Sequence, residues 1–513
     1  MLPFKLRALI GETETDVSPI GNTFTLGNVT VICMDSGEIL VTAENEAPKK
    51  IRLFYRFEFD ESTLFLGDAW ERGYGDLCFK PRDEKRYMPW YFLATNGRTT
   101  HGFGVKTGGG AFAHWNVYEK EVVLTLDIRN GTRPTRLNGR TLRAAETVFY
   151  SSEKDVFDGA RELCSMLCES PILPKAPVYG GNDWYCNYSN NSFDNIARSA
   201  SHVSECAHGL SDRPFMVIDD GWQLNRLGGY NGGPWRYPNS KFNDMSAMAK
   251  RITDEGAIPG IWLRPLLTME YLPRECILSA HTDRDKFHLD PSHPETLNYV
   301  ASETKALTDF GYKLLKYDFT SYDILGRYGI SMDENVTAGD WGFFDNTKTT
   351  AEIIKSLYRT IKTAAGQETL LIGCNTVGHL GAGLFEIQRT GDDTSGREWE
   401  RTRKMGVNTL AFRMPQHGTF FAADADCVGI TDKVPWEKNS QWLDVLAQSG
   451  TPLFVSAAEN CRTEEINAAL KSAFETSVMV AKSGEVLRPL DWTETLTPRV
   501  WQRGEKIFKY NWD

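Results

Sequence analysis

The sequence contains no apolar run long enough to cross a bilayer, so a helical membrane protein and a membrane partner are not expected. Histidine is scarce, at 9, and the 10 cysteines are scattered without ligand spacing. Cys164 and Cys168 stand four apart in a helical-looking stretch with no partner ligands nearby, so no metal and no other cofactor is expected. The cysteines read as reduced, which fits a cytoplasmic protein. Residues 1–7 reach charge before any apolar stretch, and no secretory leader is expected there. Positive charge is not in excess. The formal net charge of -11 argues against a nucleic-acid partner. A glycine-rich phosphate loop is missing too, since Gly180-Gly181-Asn182-Asp183 does not match one. None of this decides for or against assembly into a homo-oligomer.

What is present is a globular composition. Of 513 residues, 41% are hydrophobic and 24% charged, too long a chain for one ordinary domain. The 14 tryptophans are a supply of flat faces on which sugar rings stack, although most Trp serve as core. Residues 1–170 alternate short apolar runs with Gly and Asn turns, as at Asn130-Gly131 and Asn138-Gly139, and predict a β-sandwich. Leu53-Phe54-Tyr55-Arg56-Phe57-Glu58-Phe59 alternates as a half-buried strand should. The piece from Gly67 to Gly75, with Trp70, Glu71 and Arg72 between glycines, reads first as an ordinary surface loop, with a reach over a neighbouring domain as the alternative. A helix over 156–169 and then Pro171, Pro174 and Pro177 mark a boundary.

Beyond that boundary, short apolar strands alternate with helical segments. The expected strands are 178–183, 215–219, 258–263, 314–318, 370–374, 384–389, 407–412 and 453–456. Eight strands in this span predict a (β/α)8 TIM barrel over 171–456, following a sandwich over 1–170. Residues 457–513 predict a barrel-closing helix, 463–482, and a reduced C-terminal β domain.

In a barrel every strand's C-terminal end converges on one site. The predicted tips carry Asn182, Asp183 and Trp184; Asp219, Asp220 and Trp222; Trp262 and Arg264; Lys316 and Asp318; Cys374 and Asn375; and Arg389, Asp392 and Asp393. Lys316 and Asp318 stand two apart, so in a strand they point the same way, and an ammonium beside a carboxylate keeps it ionised. Of each adjacent Asp pair, one member is assigned to capping or support and one to ligand. Arg264 is expected to pair with Asp219, Asp220 or Asp318, or else to read an anionic group on the substrate.

The order Ile218-Asp219-Asp220-Gly221-Trp222, Gly260-Ile261-Trp262, Leu315-Lys316-Tyr317-Asp318, Gly373-Cys374 and Arg389-Thr390-Gly391-Asp392-Asp393-Thr394 resembles the α-galactosidase clan, glycoside hydrolase families 27 and 36. The large β-rich segment before the barrel is more similar to the melibiase-like family 36 branch. The resemblance implies a retaining glycosidase acting on an oligosaccharide or glycoside, with Asp318 as nucleophile and Asp393 as acid/base. It further implies that Asp219 and Asp220 hold sugar hydroxyls and that Lys316 binds sugar beside the nucleophile. Trp184, Trp222, Trp262, Arg264, Cys374, Asn375, Arg389 and Asp392 are the remaining expected substrate contacts, with Arg389 sharing its charge with Asp392. Asp424-Ala425-Asp426 resembles the Asp-Pro-Asp after the seventh strand of relatives. Trp262-Leu263-Arg264-Pro265 departs from the family's usual Trp-x-x-Pro or Trp-x-Glu-Pro surroundings by its cation, and the doubled Asp392-Asp393 leaves two candidates for the acid. Small residues at Asn375-Thr376-Val377-Gly378 leave an N-acetylgalactosaminide open as substrate. Transfer to a sugar acceptor, as in raffinose-synthase-like relatives, and sugar binding by an inactive relative also stay open.

Overall fold

The computed structural model describes residues 1–224, 228–278, 280–281 and 287–513. The first 152 residues form two antiparallel sheets of six and seven strands, packed as a sandwich. Strand Lys50–Arg56 sits inside the six-stranded sheet, paired on both sides. Helix Val156–Leu167 then leads to a parallel sheet whose strands are Tyr179–Asn182, Phe215–Ile218, Ile258–Leu263, Leu314–Tyr317, Leu370–Gly373, Ile387–Arg389, Ala422–Asp424, Val428–Ile430 and Leu453–Ala457.

This sheet closes in an unusual way. Ala422–Asp424 pairs with the sixth strand, and Val428–Ile430 pairs with the last, which in turn pairs with the first. The two are halves of one bent seventh strand, with the bend at Asp426, which takes a left-handed φ of 73°. The barrel therefore has eight staves, one of them split. Its seventh stave is not where periodicity predicts it. Residues 407–412 are helical, in the run Arg403–Asn408 and Thr409–Arg413. A short apolar run buried on all sides reads the same as strand or helix, and these residues are buried.

The period of two along each strand builds the site. Phe215 and Val217, Leu314, Ile372, Ile387 and Ala422 belong to one buried apolar cluster. Two residues further on, along the same face of each strand, come Asp219, Lys316, Cys374, Arg389 and Asp424. An apolar plug thus fills the barrel's lower half, and a polar layer sits directly above it at the C-terminal ends.

Close approach between the first two staves depends on Gly180, whose φ is +142° and whose Cβ, if present, would lie 2.0 Å from the Phe215 carbonyl oxygen. Gly180→Ala combines a backbone clash with a conformation that only glycine adopts readily. We expect it to destabilise the fold by about 3 kcal/mol or more, read as a drop in the urea midpoint; an unchanged midpoint would contradict the packing described.

The C-terminal part is the expected helix, Glu464–Ser483, and a reduced three-stranded sheet, Arg488–Pro489, Val500–Arg503 and Lys506–Lys509. The sandwich and barrel are joined by direct contacts. The Asn130 side chain donates to the Asp345 and Lys348 carbonyls at 2.9 and 2.8 Å and accepts from the Phe343 amide at 2.8 Å. Trp90 stacks on His379 with ring centroids 4.6 Å apart. All ten cysteines are unpaired.

Candidate active site

Asp318 follows the fourth stave and precedes Phe319, whose left-handed φ of 60° turns the chain sharply into helix Thr320–Leu325. That turn points two amides at one carboxylate oxygen. Oδ1 of Asp318 accepts from Phe319 N at 2.7 Å and Asn375 N at 3.0 Å, and Oδ2 accepts from Trp262 Nε1 at 3.2 Å. Burial alone would push this carboxyl up. The Arg72 guanidinium, then the Lys316 ammonium and the two donors from Phe319 and Trp262, outweigh it and hold Asp318 below the usual range.

Lys316 does not pair directly with Asp318, as the spacing suggests. Its Nζ sits 2.7 Å from Asp219 Oδ2, which also accepts from Asn182 Nδ2 at 2.8 Å. Asp219 is in turn fixed by Asp183, whose Oδ1 accepts its amide at 2.6 Å. Burial raises Asp183 to about 6. Asp220 accepts from Gln223 Nε2 at 2.7 Å. Both members of the Asp219/Asp220 pair are buried.

On the sixth stave, Arg389 is completely buried and binds Asp426 Oδ2 at 2.9 Å and Asp393 Oδ1 at 3.3 Å through the same Nη2. Its charge is thus shared with Asp426, not with Asp392 as expected. The bend in the seventh stave makes this geometry, turning Asp426 back under Thr394 N at 2.8 Å and next to the Tyr185 hydroxyl, which donates to it. Arg389 Nη1 also donates to Cys374 Sγ at 3.4 Å. Asp393 stands out among these acids. Its side chain is 38% exposed, against 17% for Asp392 and 4% for each of Asp219 and Asp426. Burial against neighbouring Asp426 and Asp392 raises Asp393 above the ordinary carboxylate value, in spite of Arg389 and Arg72. Two reachable carboxyls, shifted in opposite directions, therefore top the fourth and sixth staves.

The loop between Gly67 and Gly75 is no surface loop. Glu71 is buried beneath the site, where it accepts from Asn375 Nδ2 at 2.7 Å, Gly329 N at 2.7 Å and the Ser321 and Tyr74 hydroxyls. Arg72 binds Asp392 at 2.7 Å and approaches Asp393 at 3.9 Å. Gly73 pairs with the sixth stave's tip through Gly73 N to Thr390 O at 2.8 Å and Asp392 N to Gly73 O at 3.0 Å. Arg413 clamps the same loop, donating to Asp68, to the Glu71 carbonyl and to Thr390 O at 2.9, 2.5 and 3.0 Å. The sequence signal was the glycine spacing. A Cβ on Gly73 would meet Thr409 at 2.9 Å, and one on Gly75 would meet Lys404 at 2.8 Å.

Several expected substrate contacts are instead internal. Trp222 is fully buried and donates from Nε1 to the Trp262 carbonyl at 3.0 Å, so it stands behind Trp262 and supports it. Trp184 remains partly exposed beside Tyr188, and Phe319, Tyr322 and Tyr328 add partly exposed rings. Asn375 spends its amide on Glu71 and Tyr322 N. Its neighbours up to Gly378 are buried as well.

Arg264 pairs with none of the three predicted acids. It forks onto Asp323, with Nε to Oδ2 at 3.0 Å and Nη2 to Oδ1 at 2.5 Å, and gives Nη1 to Asn231 at 2.8 Å. Its guanidinium lies 4.2 Å from the Phe319 ring centre, bracing the residue that turns the chain after Asp318. Burial opposes the charge on Asp323, but Arg264 and His288 hold the carboxyl below its usual range. Arg264→Met leaves that carboxylate buried and without its main partner, and should cost about 3–5 kcal/mol. Thermal melts check this, and an unchanged midpoint would contradict the pairing with Asp323.

The fold and this ring define a class: a (β/α)8 barrel, capped by a β-sandwich, with a two-carboxyl site at the strand tips. No protein-family model matches the sequence. Among solved structures, the chain is similar to the α-galactosidase TtGalA of Thermus thermophilus, seen with p-nitrophenyl α-D-galactopyranoside, at 16% identity over 99% of both chains and a TM-score of 0.61. It is similar to the family 36 α-galactosidase AgaA of Geobacillus stearothermophilus at 14% identity, covering 98% of this chain and 80% of that one, with a TM-score of 0.65. It also resembles the galactosidase domain of the α-galactosidase-sucrose kinase AgaSK, at 14% identity over 96% and 70% of the chains, with a TM-score of 0.60. The fold is that of the family 36 α-galactosidases.

Proposed function

We propose that this chain is a retaining glycoside hydrolase that releases terminal α-linked galactose by double displacement. The observation that carries this reading is the placement of two reachable carboxyls on the same barrel face, at the tips of the fourth and sixth staves, with Asp318 shifted below the ordinary carboxylate value and Asp393 above it. Asp318 attacks the anomeric carbon while Asp393 gives its proton to the departing oxygen, and a glycosyl ester forms on Asp318. Asp393, now ionised, takes a proton from water, which attacks the same carbon and frees the sugar with its configuration kept. The Phe319 and Asn375 amides and the Trp262 indole fix Asp318 for in-line attack. The Asp219–Lys316 pair and the partly exposed rings of Trp184 and Phe319 offer a polar floor and apolar walls for a pyranose.

The galactose preference is carried to this chain from the activity of the fold's relatives. A panel of aryl α-galactoside, N-acetylgalactosaminide, glucoside and galacturonide tests it, with the first product's anomeric form followed by proton NMR. Rapid release of α-galactose supports the proposal. Initial release of the β-anomer, or cleavage of another member in preference, overturns the mechanism or the substrate respectively.

A further inference from the structure

The doubled acid Asp392-Asp393 is not explained by double displacement, which needs one acid at this tip. Arg72 is buried among carboxylates, and its Nε has no hydrogen-bond partner among the described residues. It lies within range of both acids, yet its short contact is with Asp392 at 2.7 Å, and Asp393 is left at 3.9 Å. Asp392 is held in place from the other side by Arg401 Nη2 at 2.7 Å, and its backbone is pinned to Gly73. The second cation is treated the same way. Arg389 is engaged by Asp426 at 2.9 Å and only leans on Asp393 at 3.3 Å. Each guanidinium near Asp393 thus has a dedicated carboxylate that draws it off.

Building on the glycosidase reading, we propose that Asp392 and Arg72 are a positioning pair for the acid/base: Asp392 holds the guanidinium of the sandwich loop away from Asp393, leaving Asp393 able to carry its proton. A bidentate Arg72–Asp393 pair would keep Asp393 ionised and remove the general acid. The charged and titratable groups around Asp393 are Arg389 on its own stave, Asp426 at the bend of the seventh, Tyr185 behind Asp426, Arg72 from the loop, and Asp392 beside it. Of these, only Asp392 and Arg72 join the sandwich to the acid. The sandwich thereby sets the protonation of a group on the barrel.

The pair predicts opposite shifts. In full-length Asp392→Asn, the alkaline limb of kcat/KM for an alkyl α-galactoside should fall by about one pH unit or more, the usual effect of an adjacent guanidinium. In Arg72→Met the limb should rise instead, and Arg72→Lys should return it toward wild type. Limbs that stay put, or move the same way in both variants, would overturn the pairing. A crystal structure of Asp392→Asn reads the same point without turnover. Arg72 should swing to within hydrogen-bond distance of Asp393, and an Arg72 that stays in place would refute the proposal. Wild-type protein inert on every glycoside would defeat the glycosidase reading, while the structure would still decide whether Asp392 restrains Arg72.

Discussion

Asp318→Ala should lower kcat on an aryl α-galactoside by roughly 10⁴-fold or more, the scale of removing an attacking group, with the fold intact. The substitution removes three acceptor contacts, those from Phe319 N, Asn375 N and Trp262 Nε1. All three lie at the C-terminal end of the barrel around a half-buried side chain, away from the apolar plug, so circular dichroism and the thermal midpoint should change little. A smaller variant gives a sharper test. In Asp318→Gly, azide fits the vacated space and attacks the anomeric carbon directly, a single displacement that yields the β-azide. Recovery of turnover with that inverted product identifies Asp318 as nucleophile. Wild-type-like turnover in Asp318→Ala would end the assignment.

For Asp393 the expected effect depends on the leaving group. An alkoxide departs poorly without a proton, so Asp393→Ala should cost about 10²–10⁴-fold on alkyl galactosides. A dinitrophenolate needs almost no protonation, and its release should suffer far less. On the proposed mechanism, the pH dependence follows from the opposite shifts of the two carboxyls. Asp318 must be ionised, and it is held low, so the rate falls as pH drops through its pKa. Asp393 must be protonated, and it is held high, so the rate falls as pH rises through its pKa. Asp393→Ala should therefore erase the alkaline limb and keep the acidic one. If Asp392→Ala shows that leaving-group pattern and Asp393→Ala does not, the acid is Asp392.

Much of this site was legible because barrel strands put function at i and i+2 above an apolar plug. The alternation through Phe215, Val217 and Asp219, and through Leu314, Lys316 and Asp318, is written in the sequence. Helices were legible for the same kind of reason. Helix Thr350–Ala365 is an example, started by a capping box from Thr349 and Glu352. The seventh stave was not legible. Ala422-Ala423-Asp424 has little β propensity, while the buried helical run before it carries Val407, Leu410 and Phe412. Partners were less legible than elements. Arg264 was expected to find an acid, but Asp323 lies one helical turn beyond the expected tip, so strand spacing does not point to it. The loop carrying Arg72 was left between two readings, because nothing local tells a loop that crosses to another domain from one that ends in water.

That crossing also orders events in time. Glu71 and Asn375 meet across 304 residues of chain, and Asp68 and Arg413 across 345. Contacts so distant form late, because the intervening chain must be closed first. During synthesis the sandwich leaves the ribosome long before the sixth stave exists, and its loop must wait with Glu71 and Arg72 unmatched. Catalytic competence should therefore lag behind both β-sheets in refolding, appearing only when amides on either side of the Gly73–Gly391 bridge become protected from hydrogen exchange.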